Sequence, residues 1–132
     1  MLPCRLVAER DADHIDPTHI LTPVDVERML ARALRRLEDD TAAFHDIQID
    51  AAKAEAAYRR AKGYKTLAII RHDGKLSAIE RDARIELELH DERETHLITQ
   101  ARLHAARESL NSLRMRIEAL RTISASVRHQ AG

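Results

Sequence analysis

Residues 103–128, LHAARESLNSLRMRIEALRTISASVR, decide the fold. Apolar or small residues recur there at alternating steps of three and four, the period of a helix that buries one stripe of its surface. This first stripe consists of Leu103, Ala106, Leu110, Leu113, Ile117, Leu120, Ser124 and Val127. The stretch therefore predicts a long amphipathic helix that packs against another helix, as in a coiled coil.

A matching pattern occupies the first half of the chain. Thr22, Pro23 and Asp25 have the identities of an N-cap, a first helical residue and a capping-box acid. Steps of four and three then produce a second stripe of Val26, Leu30, Ala33, Leu37, Asp40, Phe44, Ile47, Ala51, Ala54, Tyr58 and Ala61. We predict one helix over about 23–71, continuous through Gly63. The alternative, a short strand over residues 66–70, would have no partner strand.

The sequence HDGK at residues 72–75 predicts a turn, because Asp-Gly pairs end helices and tolerate positive φ. Ser77 and Glu80 then form a capping box that starts a second helix over about 78–128. Residues 53–71 carry six basic and one acidic side chain, whereas residues 77–95 carry three basic and seven acidic ones. Two helices of similar length with opposite charges beside the turn predict an antiparallel pair.

The predicted fold class is therefore all-α: a long, coiled-coil-like antiparallel helical hairpin that oligomerises into a helical bundle. Its domains are a flexible N-terminal arm over residues 1–21 and a hairpin domain over 22–132. A two-helix hairpin leaves apolar surface exposed to water, so we expect a homo-oligomer or a larger partner. The residues that lie off both stripes and suggest a second contact face are Ile69, Ile70, Leu97, Ile98, Met115 and Ile123.

Composition limits the functional classes. The chain has 132 residues, 22 of them basic and 22 acidic, so its net charge gives no global attraction to nucleic acid or membrane. A single cysteine, Cys4, cannot form an internal disulfide, which favours a reducing compartment. No apolar run approaches the roughly 20 residues of a membrane span. We expect a cytoplasmic protein with no membrane contact.

Four arginines share one heptad position beside the first stripe, namely Arg107, Arg114, Arg121 and Arg128. Guanidinium groups pair well with phosphates, so this arginine ladder is a candidate nucleic-acid contact. The alternative is structural. Interhelical salt bridges would then consume the ladder, with acids supplied by Asp25, Glu38, Asp39 and Asp46.

A second candidate contact is a basic cluster with interleaved tyrosines, consisting of Lys53, Tyr58, Arg59, Arg60, Lys62, Tyr64 and Lys65. Basic residues beside aromatic rings are typical of single-strand binding, through phosphate contacts and base stacking. Tyr58 also belongs to the second stripe, so a place in the core is the alternative for its ring.

Metal binding and catalysis have little support in the sequence. His90 lies four residues from both Glu86 and Glu94, and His96 lies four from Glu92, but the di-iron pattern requires Glu-x-x-His. The acidic and histidine residues between Asp11 and His19 are read as a solvated linker. No glycine-rich phosphate loop or nucleophile triad is present. We expect no catalytic residue, metal or cofactor, and no enzyme.

Residues 57–88, AYRRAKGYKTLAIIRHDGKLSAIERDARIELE, resemble small helical proteins of tailed bacteriophages, in particular the UvsY-type recombination mediators. The resemblance implies assembly through Leu103 to Val127. It also implies that single-stranded DNA is bound by Tyr58, Arg59, Arg60, Lys62, Tyr64 and Lys65. It also implies a recombinase or single-strand binding protein as partner, in the host cytoplasm. The alternative is a structural or interaction protein without nucleic acid: a virion assembly component, a chaperone or an inhibitor of a host factor.

Overall fold

The computed structural model describes residues 21–131, which are almost entirely helical. Helix α1 spans Pro23–His72, α2 spans Ala78–Glu88 and α3 spans His90–Ala131. No strand occurs between residues 21 and 131. The all-α prediction is confirmed for this part of the chain. Apart from Leu21, the predicted N-terminal arm and its acidic residues lie outside the described residues.

Both predicted capping boxes are present. The Thr22 hydroxyl accepts from the Asp25 backbone N–H at 3.2 Å, and the Asp25 carboxylate accepts from the Thr22 N–H at 3.0 Å. Ser77 and Glu80 make the same pair of bonds, at 3.2 and 3.4 Å. These bonds satisfy N–H groups that have no partner inside a helix, so α1 and α2 begin where the sequence indicates.

Helix α1 continues through Gly63, and the strand alternative over residues 66–70 is therefore wrong. It ends at His72, where the Asp73 N–H donates to the Ile69 carbonyl at 2.8 Å. The expected positive φ at the turn is absent, since no glycine in the described residues adopts one. Gly74 supplies room instead: a Cβ there would lie 3.3 Å from the Ile70 carbonyl oxygen.

The second predicted helix is interrupted at Leu89, whose φ is −105° and ψ is 24°. A single helix over 78–128 is therefore wrong. Ile85, Leu89 and Arg93, which are buried or half-buried, are spaced four residues apart without an intervening step of three. Each four-residue step advances the buried stripe by about 40° around a helix with 3.6 residues per turn. Local unwinding at such a stutter brings the stripe back toward α1.

The core is a thin seam between α1 and the other two helices. Every residue of both predicted stripes is buried or half-buried. One cluster contains Ala33, Leu113, Ile117 and Leu120, and a second contains Ile69, Ile85 and Leu89. The first joins α1 to α3 and the second joins α1 to α2. Ile69, expected on a second contact face, is buried in this seam.

We predict that Ile117→Ala lowers the free energy of unfolding by about 2–5 kcal/mol, because it removes buried methyl groups and leaves a cavity. Ile117 is only 3% exposed. The matched control is Ile79→Ala, since Ile79 is 83% exposed. The control should change stability by no more than about 0.5 kcal/mol. Urea unfolding followed by circular dichroism at fixed protein concentration measures both. Equal losses in the two variants would contradict the burial described.

Candidate nucleic-acid interface

The arginine ladder lies along one edge of α3, beside the buried stripe. All four of its side chains are exposed. Seven-residue spacing on a helix places successive members about 10.5 Å apart. The edge therefore presents a row of positive charge that extends to the C-terminal end of α3.

The ladder arginines differ in what they contact. Arg128 pairs with Glu27 of α1 at 3.0 Å, and Arg121 pairs with Glu118 of its own helix at 2.8 Å. Arg107 and Arg114 make no ion pair with any residue between 21 and 131. Half of the ladder is thus neutralised locally, and half keeps its full charge available.

Three of the four acids expected opposite the ladder do not pair with it. Glu38, Asp39 and Asp46 form no ion pair with any ladder arginine, and the interhelical partner is Glu27 instead. The register explains this. Seven-residue steps from the Glu27–Arg128 pair bring Thr41 level with Arg114 and Gln48 level with Arg107 on the same edge. The α1 residues beside the two free arginines are therefore uncharged.

The basic cluster on α1 also contains both paired and unpaired side chains. Arg59 pairs with Glu55 at 2.6 Å, and Lys65 pairs with Glu88 of α2. Lys53, Arg60 and Lys62 are exposed and have no ion-pair partner within the described chain. Lys62 occupies the same heptad position on α1 as Glu27, so it lies on the edge that carries the ladder.

Tyr58 is not available to stack on a base, which corrects its assignment to the nucleic-acid contacts. Its ring stacks on His96 of α3, with centroids 5.5 Å apart and planes 7° from parallel, and it packs against the second core cluster. Tyr64 is 70% exposed and is the tyrosine of this cluster that faces solvent.

His96 is a seam residue that the sequence analysis misses, because its spacing from Glu92 indicates only a side-chain pair on the helix surface. It lies seven residues before Leu103, so the first stripe extended backwards would have placed it in the seam. Its Nδ1 atom is buried without a hydrogen-bond partner. The imidazole serves as a packing group against Tyr58.

His90, Asp91 and Glu94 are the described residues whose metal-ligating atoms converge, all within 4.8 Å of one another. The His90 Nδ1 atom lies 3.6 Å from Asp91 and 3.8 Å from Glu94. Glu86, expected near His90, instead accepts from Arg93 at 2.8 Å. All three ligand candidates are exposed on one helical turn, and no second element orients them, as bound metals generally require. We assign no metal to them.

Asp40, the polar member of the α1 stripe, lies at a shallow notch between α1 and α3. Its carboxylate is 3.6 Å from the Arg36 Nε atom. The notch has a volume of about 170 Å³ and is lined by Arg36, Asp40, Ser109, Ser112, Leu113 and Arg116. Small serines opposite Asp40 leave the carboxylate open to solvent, which avoids the cost of a buried charge.

No family model, curated protein or solved structure matches this chain. Among the helices between residues 21 and 131, none has the length and apolar character that crossing a bilayer requires.

We predict that Tyr58→Ala destabilises the fold by about 2 kcal/mol or more, because it removes an aromatic ring from the seam and leaves His96 without its stacking partner. Tyr64→Ala is the matched control and should cost no more than about 0.5 kcal/mol, since that ring faces solvent. Thermal unfolding by circular dichroism compares the two. A larger loss for Tyr64 than for Tyr58 would contradict the assignment of the interior tyrosine.

Proposed function

We propose that this chain is an antiparallel helical hairpin that acts without chemistry, as an oligomeric scaffold that binds single-stranded DNA. In this proposal it serves as a phage-type accessory protein of DNA recombination, which holds the strand near a recombinase or a single-strand binding protein. The observation that carries the DNA part is the absence of an ion-pair partner for Arg107 and Arg114 among residues 21–131.

Contacts along the whole length support the antiparallel arrangement. Glu27 pairs with Arg128, Tyr58 stacks on His96, and Lys65 pairs with Glu88. As residue numbers rise along α1, their partners' numbers fall by nearly the same amount. Such a series is expected when two helices run in opposite directions in one fixed register.

The electrostatic argument is local, because the chain as a whole is neutral. Two free guanidinium groups beside the uncharged Thr41 and Gln48 leave an edge where a phosphate replaces no existing salt bridge. Lys62 extends the same edge toward the turn. Each contact is weak in water, so useful affinity requires several copies that bind one strand together.

The withdrawal of Tyr58 into the seam limits the role of base stacking. Tyr64 alone remains among the predicted stacking residues, and a single ring gives little discrimination between bases. The proposed binding is therefore mainly to phosphates and depends strongly on salt. This suits a protein that holds many sequences in the same way.

The second candidate function is that of a structural or interaction protein without nucleic acid. It is favoured by the ion pairs of Arg59, Lys65, Arg121 and Arg128, which reduce the available positive charge. In that case the exposed surface contacts only proteins, and the two free arginines contribute solubility.

A paired substitution tests the DNA contact. We expect Arg107→Gln with Arg114→Gln to weaken binding of a short single strand at least ten-fold at low salt. Loss of two phosphate contacts should also reduce the slope of log affinity against log salt by about 1.4. The matched control is Arg28→Gln with Arg35→Gln, which removes the same charge from the side of α1 away from the seam. The control should bind like the parent.

Fluorescence anisotropy across a salt series measures both pairs of variants. The DNA proposal is overturned if the parent shows no affinity at low salt, or affinity that does not change with salt. Equal losses of DNA affinity in the ladder variant and the control variant would contradict the assignment of DNA binding to the ladder edge. Retention of a recombinase or single-strand binding protein on the immobilised chain, measured without DNA, tests the protein partners separately.

A further inference from the structure

Exposed apolar side chains are concentrated on both sides of the turn. Twelve large apolar side chains are exposed between residues 21 and 131, and five of them lie within residues 64–87. These five are Tyr64, Leu67, Ile70, Ile79 and Leu87. Ile79 and Leu87 are 83% and 80% exposed, the highest values among the twelve. Large apolar side chains that cluster on a surface mark a contact with another macromolecule.

One part of this surface lies on α1, on the side away from the seam. A residue two positions from a buried one is rotated by about 200° around the helix and so lies opposite it. Leu67 and Arg71 each lie two residues from the buried Ile69, and Arg60 lies two turns before Leu67 on the same side. This basic outer face consists of Lys53, Arg60, Tyr64, Leu67 and Arg71, all of them exposed. It is apolar and basic, and it includes no acidic side chain.

The other part lies on α2 and on the first turn of α3. Ala83 and Leu87 each lie two residues from the buried Ile85, and Glu94 lies two residues from His96, which stacks in the seam. Both relations place these side chains on the outer side of the hairpin. This acidic outer face consists of Ile79, Ala83, Leu87, Asp91 and Glu94, all of them exposed. It is apolar and acidic, and it includes no lysine or arginine.

The two outer faces lie back to back, at the same level of the hairpin. Lys65 pairs with Glu88 and Tyr58 stacks on His96, so the two faces flank the same stretch of the seam. They are about 27 Å and about 23 Å long, at 1.5 Å per residue. Within one chain they cannot meet, because the seam separates them. The basic outer face of one copy can therefore meet only the acidic outer face of another.

A second copy that lies beside the first, at the same level and pointing the same way, brings the apolar centres of the two faces together. The stack of Tyr58 on His96 fixes the level of each residue on α1 against the later helices. On this scale Leu67 of one copy is level with Leu87 of the next, to within about one residue or 1.5 Å. The most exposed leucine of α2 is then covered by a leucine of α1.

Charged side chains match at the same levels. Arg60 is level with Glu94, and Arg71 is level with Asp82, an exposed residue beside the acidic outer face. Arg60, Arg71 and Asp82 form no ion pair with any residue between 21 and 131. The ion-pair neighbour of Glu94 is His90 of its own helix, at 3.8 Å. Opposite charges at both ends of the contact favour a second copy of this chain over an unrelated partner.

We propose that copies of this chain associate side by side and head to tail, with the basic outer face of one copy on the acidic outer face of the next. Each copy uses two different faces, so the assembly closes into a ring or continues as a filament. This inference rests on the homo-oligomer of the proposed function and assigns its interface. Arg60, predicted to bind DNA, contacts the next copy instead. Arg107 and Arg114 lie outside both faces, so assembly and DNA binding are measured separately.

Two variants that each disable one face test the head-to-tail arrangement. The parent should sediment well above the chain mass of 15.0 kDa at micromolar concentration. Leu67→Asp and Leu87→Asp should each be monomeric alone, because aspartate places an unpaired charge within the apolar contact. A one-to-one mixture should form a dimer and no larger species, since one intact face remains on each chain. Leu34→Asp, in the other half of α1, is the matched control and should assemble like the parent.

A charge reversal tests the register of the contact. Arg60→Glu alone, or Glu94→Arg alone, should raise the dissociation constant of assembly by about ten-fold or more, because like charges then meet at every interface. The two changes in one chain should restore assembly, because every interface then contains the reversed pair. The two positions lie on opposite sides of the hairpin, so pairing within the chain cannot explain the rescue. Circular dichroism establishes that each variant is folded.

Three results overturn the proposal. A parent chain that stays monomeric from micromolar to hundred-micromolar concentration removes it, whatever affinity for DNA is measured. Folded Leu67→Asp and Leu87→Asp chains that both assemble like the parent remove the two faces, and they leave the oligomeric scaffold of the proposed function intact. Monomeric variants that do not dimerise when mixed remove the head-to-tail arrangement.

Discussion

The burial of one narrow apolar stripe on each side of a two-helix seam is the constraint on which the structure depends. A fifty-residue helix such as α1 has no wide core to enter, so only one residue in three or four is removed from water. Ile117 and its neighbours fill the seam at one end, and Ile85 and its neighbours fill it at the other. Half-buried residues such as Phe44 and Tyr58 connect the two ends.

Because the seam is thin, most charged side chains lie on the surface. Which of them form ion pairs between the helices depends on the register of one helix against the other. Glu27 reaches Arg128 because the two residues lie at the same level and on the same edge of the seam. Seven-residue steps from this pair bring uncharged side chains level with Arg107 and Arg114. A neutral chain therefore has an edge that is locally positive, and this edge supports the proposed contact with phosphates.

Local rules were enough to place the starts of α1 and α2 and the buried stripes. Thr22 and Ser77 act through hydrogen bonds that span three residues, and the periodicity of each stripe is a property of its own helix. The interruption at Leu89 could not be predicted from the helix alone, because it arises where the buried stripe must stay against α1. Two features could be predicted only from the relative register of two helices. One is the stack of Tyr58 on His96, and the other is the pairing of Arg128 but not Arg114. Register is set by side chains that meet across the seam from distant parts of the chain, so no local pattern contains it, and only the tertiary structure decided which charges stay free.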